Sequence, residues 1–273
     1  MRFSVLSSGS KANCTYFEAS GKRFLIDCGL SARQTELRLS RIGVSPEDLD
    51  AIFITHEHRD HIYGVSVMSR RYSLPVFLSE GTSEFVESVY GKECFSVGTS
   101  FDIGAVSISP FQIVHDATDP VAFVFQAEGL KFGQATDLGR TTPLVRDFLR
   151  DCHALVIESN HDEEMLRECE YPWVLKQRIS SSHGHLSNEA CAELLDEVVH
   201  SELEVVVLAH LSENSNTPEL ARESATRGLW KLTNSSHAEF VPELVCGNPR
   251  QETPLFNIGE RENKANRKLA VGE

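Results

Sequence analysis

The stretch Ala51-Ile52-Phe53-Ile54-Thr55-His56-Glu57-His58-Arg59-Asp60-His61 decides how this chain reads. Its first five residues form an apolar, β-branched run of the kind that makes a buried strand. That strand runs straight into three histidines and an aspartate. In extended backbone alternate side chains point the same way, so His56 and His58 can reach one metal ion. Asp60 and His61 follow where the chain turns, and can face a second position. Imidazole and carboxylate donors suit zinc, and also iron or manganese. A solvated charged turn is the ordinary alternative, but such a turn has no need of three imidazoles at the mouth of a buried strand.

Outward from this cluster the same arrangement recurs. Strands are predicted over 105–114, 130–136 and 205–209, and His115, Asp137 and His210 each stand just past the end of one. Open α/β sheets carry their sites at these C-terminal strand ends. Alone, each residue reads as a cap or a turn. Together with the cluster they complete two ligand sets around a shared carboxylate. Further strands are predicted at 2–6, 14–19, 22–27, 75–78, 120–127 and 154–158, with a weak one around 238–245. Helices are predicted at 31–42, 64–72, 80–90, 142–151, 162–170, 187–199 and 217–231. A β-rich run followed by an α/β run, twice over, suits two packed sheets with helices outside. The segment after Cys246 mixes charges, Asn and Gly without an apolar face. Residues 1–246 are therefore expected to form one domain, and 247–273 a mobile tail.

The composition sets bounds. A chain of 273 residues, 41% hydrophobic and 24% charged, has the make-up of a soluble globular protein. No apolar run approaches the roughly 20 residues that span a bilayer, and the apolar start at Met1 is too short for a signal peptide. No membrane partner is expected, and a cytoplasmic location is. Seven cysteines, an odd number with no C-x-x-C, argue against a disulfide framework or a structural Cys zinc site. A net charge of −14 argues against a generic electrostatic clamp on nucleic acid, though a metal pair supplies local positive charge that the sum hides.

The pattern H-x-H-x-D-H followed by a distant His, Asp and His resembles the metallo-β-lactamase superfamily, over Ser7 to about Asn216. The resemblance implies an α/β fold, a four-layer αββα sandwich with the metals in a cleft at one edge. It implies that His56, His58 and His115 hold a first ion, that Asp60, His61 and His210 hold a second, and that Asp137 bridges them. It also implies that Asp27, in Asp27-Cys28-Gly29, braces the ligand loop, since ligating histidines need an acceptor on their other nitrogen. The cofactors expected are two divalent ions, zinc first and manganese or iron as alternatives.

Ser7-Ser8-Gly9-Ser10-Lys11-Ala12-Asn13-Cys14, Arg178 to Asn188, Leu208 to Ser212 and Asn214 to Asn216 resemble the YycJ (WalJ) branch, which is linked to phosphodiester hydrolysis in DNA or RNA. The order Glu158, His185, His210 is similar to ribonuclease Z. That likeness implies a catalytic pair in which His185 gives a proton to the leaving oxygen while Glu158 holds it; Asp60 is expected to be catalytic as well as a metal ligand. A carboxylate partner in general favours a protonated imidazole. Ser8, Ser10 and Asn13 are expected to present hydroxyls and N–H groups to a phosphate. Lys176, Arg178 and His183 are expected along a strand-binding path.

Two divalent ions bring four positive charges; Asp60, Asp137 and a hydroxide remove three, so an anionic diester is favoured over a neutral lactam. Residues 138–209 leave no room for an inserted cap domain. Substrate grip must then come from short loops, a homodimer or another partner. The expected function is a dinuclear metal-dependent phosphodiesterase, a DNA or RNA exonuclease. The rivals are a small-molecule hydrolase of thioesters, lactones or phosphonate esters, and a regulatory protein with an idle site.

Overall fold

The structure is a computed structural model and describes residues 1–230 and 241–260. One sheet holds β1 (Arg2–Ser7), β2 (Cys14–Ala19), β3 (Lys22–Ile26), β4 (Ala51–Phe53), β5 (Pro75–Ser79) and β6 (Gly91–Phe95). The other holds β7 (Phe101–Ile103), β8 (Val106–Gln112), β9 (Val121–Ala127), β10 (Leu130–Ala135), β11 (Ala154–Glu158), β12 (Val205–Ala209) and β13 (Glu243–Cys246). A last strand, β14 (Phe256–Asn257), returns to the first sheet beside β1. The helices are α1 (Ala32–Arg41), α2 (Arg59–Ile62), α3 (Val65–Tyr72), α4 (Glu80–Ser83), α5 (Pro143–Leu149), α6 (Glu163–Glu168), α7 (Trp173–Ile179), α8 (Asn188–Val198) and α9 (Pro218–Gly228).

Alternation in the strands explains the layering. Along β1, Phe3 and Val5 enter the core between the sheets, whereas Leu6 belongs to the outer layer shared with α1 and α3. The inner core is aromatic: the Phe17 and Phe125 rings lie 4.7 Å apart, and Phe53 meets Phe125 edge-on at 5.3 Å. A separate apolar layer joins the second sheet to α5, α8 and α9. The result is the αββα sandwich. No helix among the described residues is long and apolar enough to cross a membrane.

Register positions the site. β3 pairs with β4 in parallel, Ile26 opposite Phe53, so Asp27 emerges beside Thr55. β11 pairs with β12 in parallel, Glu158 opposite Ala209, so Glu158 emerges beside His210. Parallel neighbours all end on one side, which gathers these residues at one rim.

Several expectations shift. The helix expected over 80–90 is only α4; Ser88 takes a left-handed φ of 53°, and Phe85 and Tyr90 are exposed. The strands β6 and β7 were not predicted because most of their residues are exposed or half-buried, which erases the alternation. Helix α7 was missed for a related reason: Ile179 is its one buried residue. The expected loose tail divides. Thr253 Oγ1 accepts from Val5 N at 2.9 Å, and Phe256 and Ile258 join the inner core, so the fold continues past Cys246. Isolated buried residues held by backbone pairing leave no periodic signal. Residues 261–273, and the start of the strand expected near 238–245, lie outside the described residues.

Candidate metal centre

The chain leaves β4 at Ile54 and turns through the cluster into α2. The turn is laced to the first loops: Asn13 N donates to Asp60 O at 2.8 Å, Gly29 N to Asn13 O at 2.9 Å and Cys28 N to His61 O at 2.8 Å. A Cβ on Gly29 would sit 1.6 Å from Asp60 O, so only glycine permits this approach. Asp27, Asp137 and His210 all take left-handed backbone, with φ of 58°, 60° and 55°. Non-glycine residues hold that conformation only where the surroundings over-determine it, as they do at functional sites.

Hydrogen bonds decide which imidazole nitrogens are free. Carboxylate and carbonyl oxygens only accept, so a histidine bonded to one through Nδ1 carries a proton there and turns Nε2 away from it, as the atom that can meet a metal once the ring is neutral. His61 Nδ1 donates to Asp27 Oδ2 at 2.8 Å, His115 Nδ1 to Gly184 O at 3.0 Å and His210 Nδ1 to Glu158 Oε1 at 2.8 Å. Thr55 Oγ1 donates to the Asp27 carboxylate at 3.0 Å and so accepts from His56 Nδ1, also at 3.0 Å. His58 differs: its Nδ1 faces His115 Nε2 at 3.3 Å.

The outward nitrogens converge, and two of them have neighbours: His61 Nε2 lies 3.0 Å from Asn13 Nδ2 and His115 Nε2 3.3 Å from His58 Nδ1. One potential ligand atom from each of His56, His58 and His115 lies within 4.8 Å of the others, and the same holds for Asp60, His61 and His210. Asp137 lies between these sets, 3.2 Å from His61 Nε2 and 3.7 Å from His115 Nε2. His56 Nε2, Asp137 Oδ2 and His210 Nε2 are buried with no hydrogen-bond partner among the described residues. A bare buried polar atom costs about 1–3 kcal/mol, and three aimed at one space fit cations there. The residues present therefore suit two divalent ions.

Charge follows the same division. Burial opposes protonation of His56 and His115 and lowers both pKa values. Burial acts likewise on His61, but Asp27, Asp137 and Asp60 outweigh it and hold the imidazole well above its ordinary range. For His210 burial is again outweighed, by Asp137, Asp60 and Glu158, and its pKa stands at about 10. Burial would raise the Asp137 carboxyl, yet His210 and His61 keep it well below the usual range.

Glu158 is fully buried and saturated. Its Oε1 accepts from His185 Nδ1 at 2.9 Å as well as from His210, and its Oε2 accepts from Leu138 N at 2.7 Å and Leu186 N at 3.0 Å. It therefore holds His210 as well as orienting His185. His185 lines the cleft, which measures about 140 Å³.

The remaining expected site residues scatter. Ser8 is buried, and its Oγ accepts from His210 N at 2.6 Å. Asn13 is buried, and its Nδ2 donates to Asp60 Oδ2 at 2.9 Å. Both hold the candidate ligands His210 and Asp60 and are not among the cleft-lining residues; Ser10 does line the cleft. Arg178 lines it too, paired with Asp116 Oδ2 at 2.6 Å. Lys176 faces a neighbouring cavity, and His183 is exposed beside Ser182. Two contributors were missed. Thr55 was quoted with the motif but given no role, because a hydroxyl shows no ligand pattern. Asp116 reads as an ordinary loop acid, although it lies 3.3 Å from His115 Nε2.

A family model described as "Beta-lactamase superfamily domain" matches residues 22–211. The chain belongs to that superfamily. Among curated superfamily members, the "Exodeoxyribonuclease YycJ" of Bacillus anthracis is 38% identical over 235 residues, covering 84% of this chain and 89% of the relative. The "Ribonuclease Z" of Bradyrhizobium diazoefficiens is 34% identical over 130 residues, 40% of this chain and 42% of that one. Among solved structures, the metallo-β-lactamase fold protein YhfI of Bacillus subtilis matches with a TM-score of 0.70 at 15% identity, covering 94% of this chain and all of that one (100%). That likeness is one of fold. The four-layer sandwich and the ligand convergence agree with membership.

Proposed function

We propose that this chain is a dinuclear metal-dependent phosphodiesterase acting on nucleic acid, and specifically a DNA exonuclease. The observation that carries the reading is that Glu158 Oε1 accepts from both His185 Nδ1 and His210 Nδ1, which sets a proton donor at the edge of the ligand cluster. The 38% identity to a protein named as an exodeoxyribonuclease, across most of both chains, supports DNA as the substrate.

His56, His58 and His115 would hold one ion, Asp60, His61 and His210 the other, and Asp137 both; the imidazole-rich donor set favours zinc. Bound there, such ions supply Lewis acidity and lower the pKa of a water near them. The rest falls to the chain. His185 Nδ1 is committed to Glu158, so Nε2 is the atom left to give a proton to the leaving oxygen. Glu158, fixed by two backbone N–H groups, keeps that ring in place. Arg178, on the cleft wall with Asp116, can meet a non-bridging phosphate oxygen.

The test uses zinc- or manganese-loaded protein with single- and double-stranded DNA, RNA and bis-p-nitrophenyl phosphate. DNA should be shortened from an end, and chelator should abolish this. Intact DNA at high enzyme, with thioesters or lactones hydrolysed instead, would overturn the proposal. His185→Ala should keep its metal yet lose roughly 10²–10⁴-fold in kcat on DNA. The same variant should lose far less on the activated nitrophenyl ester, whose leaving group needs no proton.

A further inference from the structure

Beside the metal cleft lies a larger cavity of about 520 Å³. Helix α7 is the wall between the two. Trp173, Lys176, Gln177 and Ser180, at helical spacings i, i+3, i+4 and i+7, face the larger cavity. Leu175, Arg178 and Ile179 face the cleft. Among the described residues, His185 alone lines both cavities. The loops fit tightly at this wall: a Cβ on Gly184 would meet the Arg178 and Ile179 carbonyl oxygens at 2.2 Å.

The larger cavity has the features of an anion site. Arg140, Arg167 and Lys176 bring positive charge to it, against one carboxylate, Glu163. Arg140 and Arg167 are exposed and form no ion pair among the described residues. Lys176 Nζ donates to Arg167 O at 2.6 Å, which fixes its charge at the wall. His161 lines the cavity, is only 2% exposed, and its Nδ1 is buried without a hydrogen-bond partner among the described residues. Neither metal position uses it. Trp173, 69% exposed, offers a flat face at the same cavity, and nucleobases stack on such faces without regard to sequence.

We propose that this cavity is the subsite for the departing nucleotide. Its base stacks on Trp173, its terminal phosphate sits on Arg140, Arg167 and Lys176, and His161 hydrogen-bonds the nucleotide. His185, shared by the two cavities, stands where the scissile ester must pass from one to the other. In the step, a water oxygen bonds to phosphorus and the ester bond to the departing nucleotide breaks. The departing oxygen takes the His185 proton, and a proton of the water restores it. The volume lies in the range of single-ligand pockets, roughly 300–1,000 Å³, so the cavity selects a chain end over a chain interior. This inference rests on the nuclease reading above. A terminal phosphate can belong to a 5′ or a 3′ end, and the experiment separates them.

Metal-loaded wild type and the Arg140→Ala/Arg167→Ala double variant are compared on oligodeoxynucleotides bearing a 5′-phosphate, a 3′-phosphate or neither, and on bis-p-nitrophenyl phosphate. Deoxynucleoside 5′- and 3′-monophosphates are tested as inhibitors. Wild type should prefer one phosphorylated end at least tenfold, and the matching monophosphate should compete. In the double variant the end preference should vanish, with a loss on oligonucleotide at least tenfold greater than on the small diester. Unchanged preference and inhibition, or equal loss on both substrates, would overturn the subsite. Wild type that cuts no oligonucleotide, yet binds a monophosphate through these arginines, would instead sink the nuclease reading and leave the subsite standing.

Discussion

The two proposed metal positions use similar ligands but rest on different supports. Around Asp60, His61 and His210 the braces are charged: Asp27 holds His61 and Glu158 holds His210. Around His56, His58 and His115 they are neutral: a threonine hydroxyl for His56 and a backbone carbonyl for His115. His58 is also 30% exposed, whereas His61 is sealed. Carboxylate braces make an imidazole a stronger donor and also a stronger base. The second position is thus built to hold its ion tightly but must first shed protons. The first is ready in its neutral form.

The largest expected effect comes from removing what the positions share. Asp137→Ala should empty both, with a loss in kcat/KM of roughly 10⁴-fold or more; metal content by mass spectrometry checks it, and two retained ions would break the paired-site picture. Removing one brace should split the positions. Asp27→Asn should weaken metal binding at the second by roughly 10–100-fold and affect the first, which it reaches only through Thr55, much less, seen as one ion retained longer in a chelator titration. Equal loss at both would erase the distinction. Ser8→Ala should do less: it leaves the buried His210 N–H unpaired, a cost of about 1–3 kcal/mol, and should lower affinity at the second position alone.

The smallest effect is that of pH. His210 keeps its proton until pH rises through about 10, and His61 is shifted the same way. Protons therefore compete with metal at the second position throughout the neutral range, and affinity there should rise steadily with pH. His56 and His115 are shifted down, so their protons should stop competing with metal already below the ordinary imidazole range. Without metal the sign reverses. The raised histidines stabilise the fold fully below about 6.5, and that contribution fades as pH rises through the His210 value. Calorimetric titration in buffers of different protonation enthalpy would count the protons released, and equal release at both positions would contradict the comparison.

The sequence by itself determined the sandwich and the strand ends, and it pointed to the candidate ligand set proposed above. Apolar alternation is local, and the histidines stand directly where strands stop, so His115, Asp137 and His210 were legible one strand at a time. It also named Glu158 with His185. What it could not reach were relations made by register and packing. Only the pairing of β11 with β12 sets Glu158 against His210, which turns a supposed partner of one histidine into the brace of two. Only the lacing of three loops turns Ser8 and Asn13 inward. Strand β14 and helix α7 bury too few residues to leave a period, yet one closes a sheet edge and the other divides two cavities. Periodicity records which face a residue hides; which residue it meets there is decided by the rest of the chain.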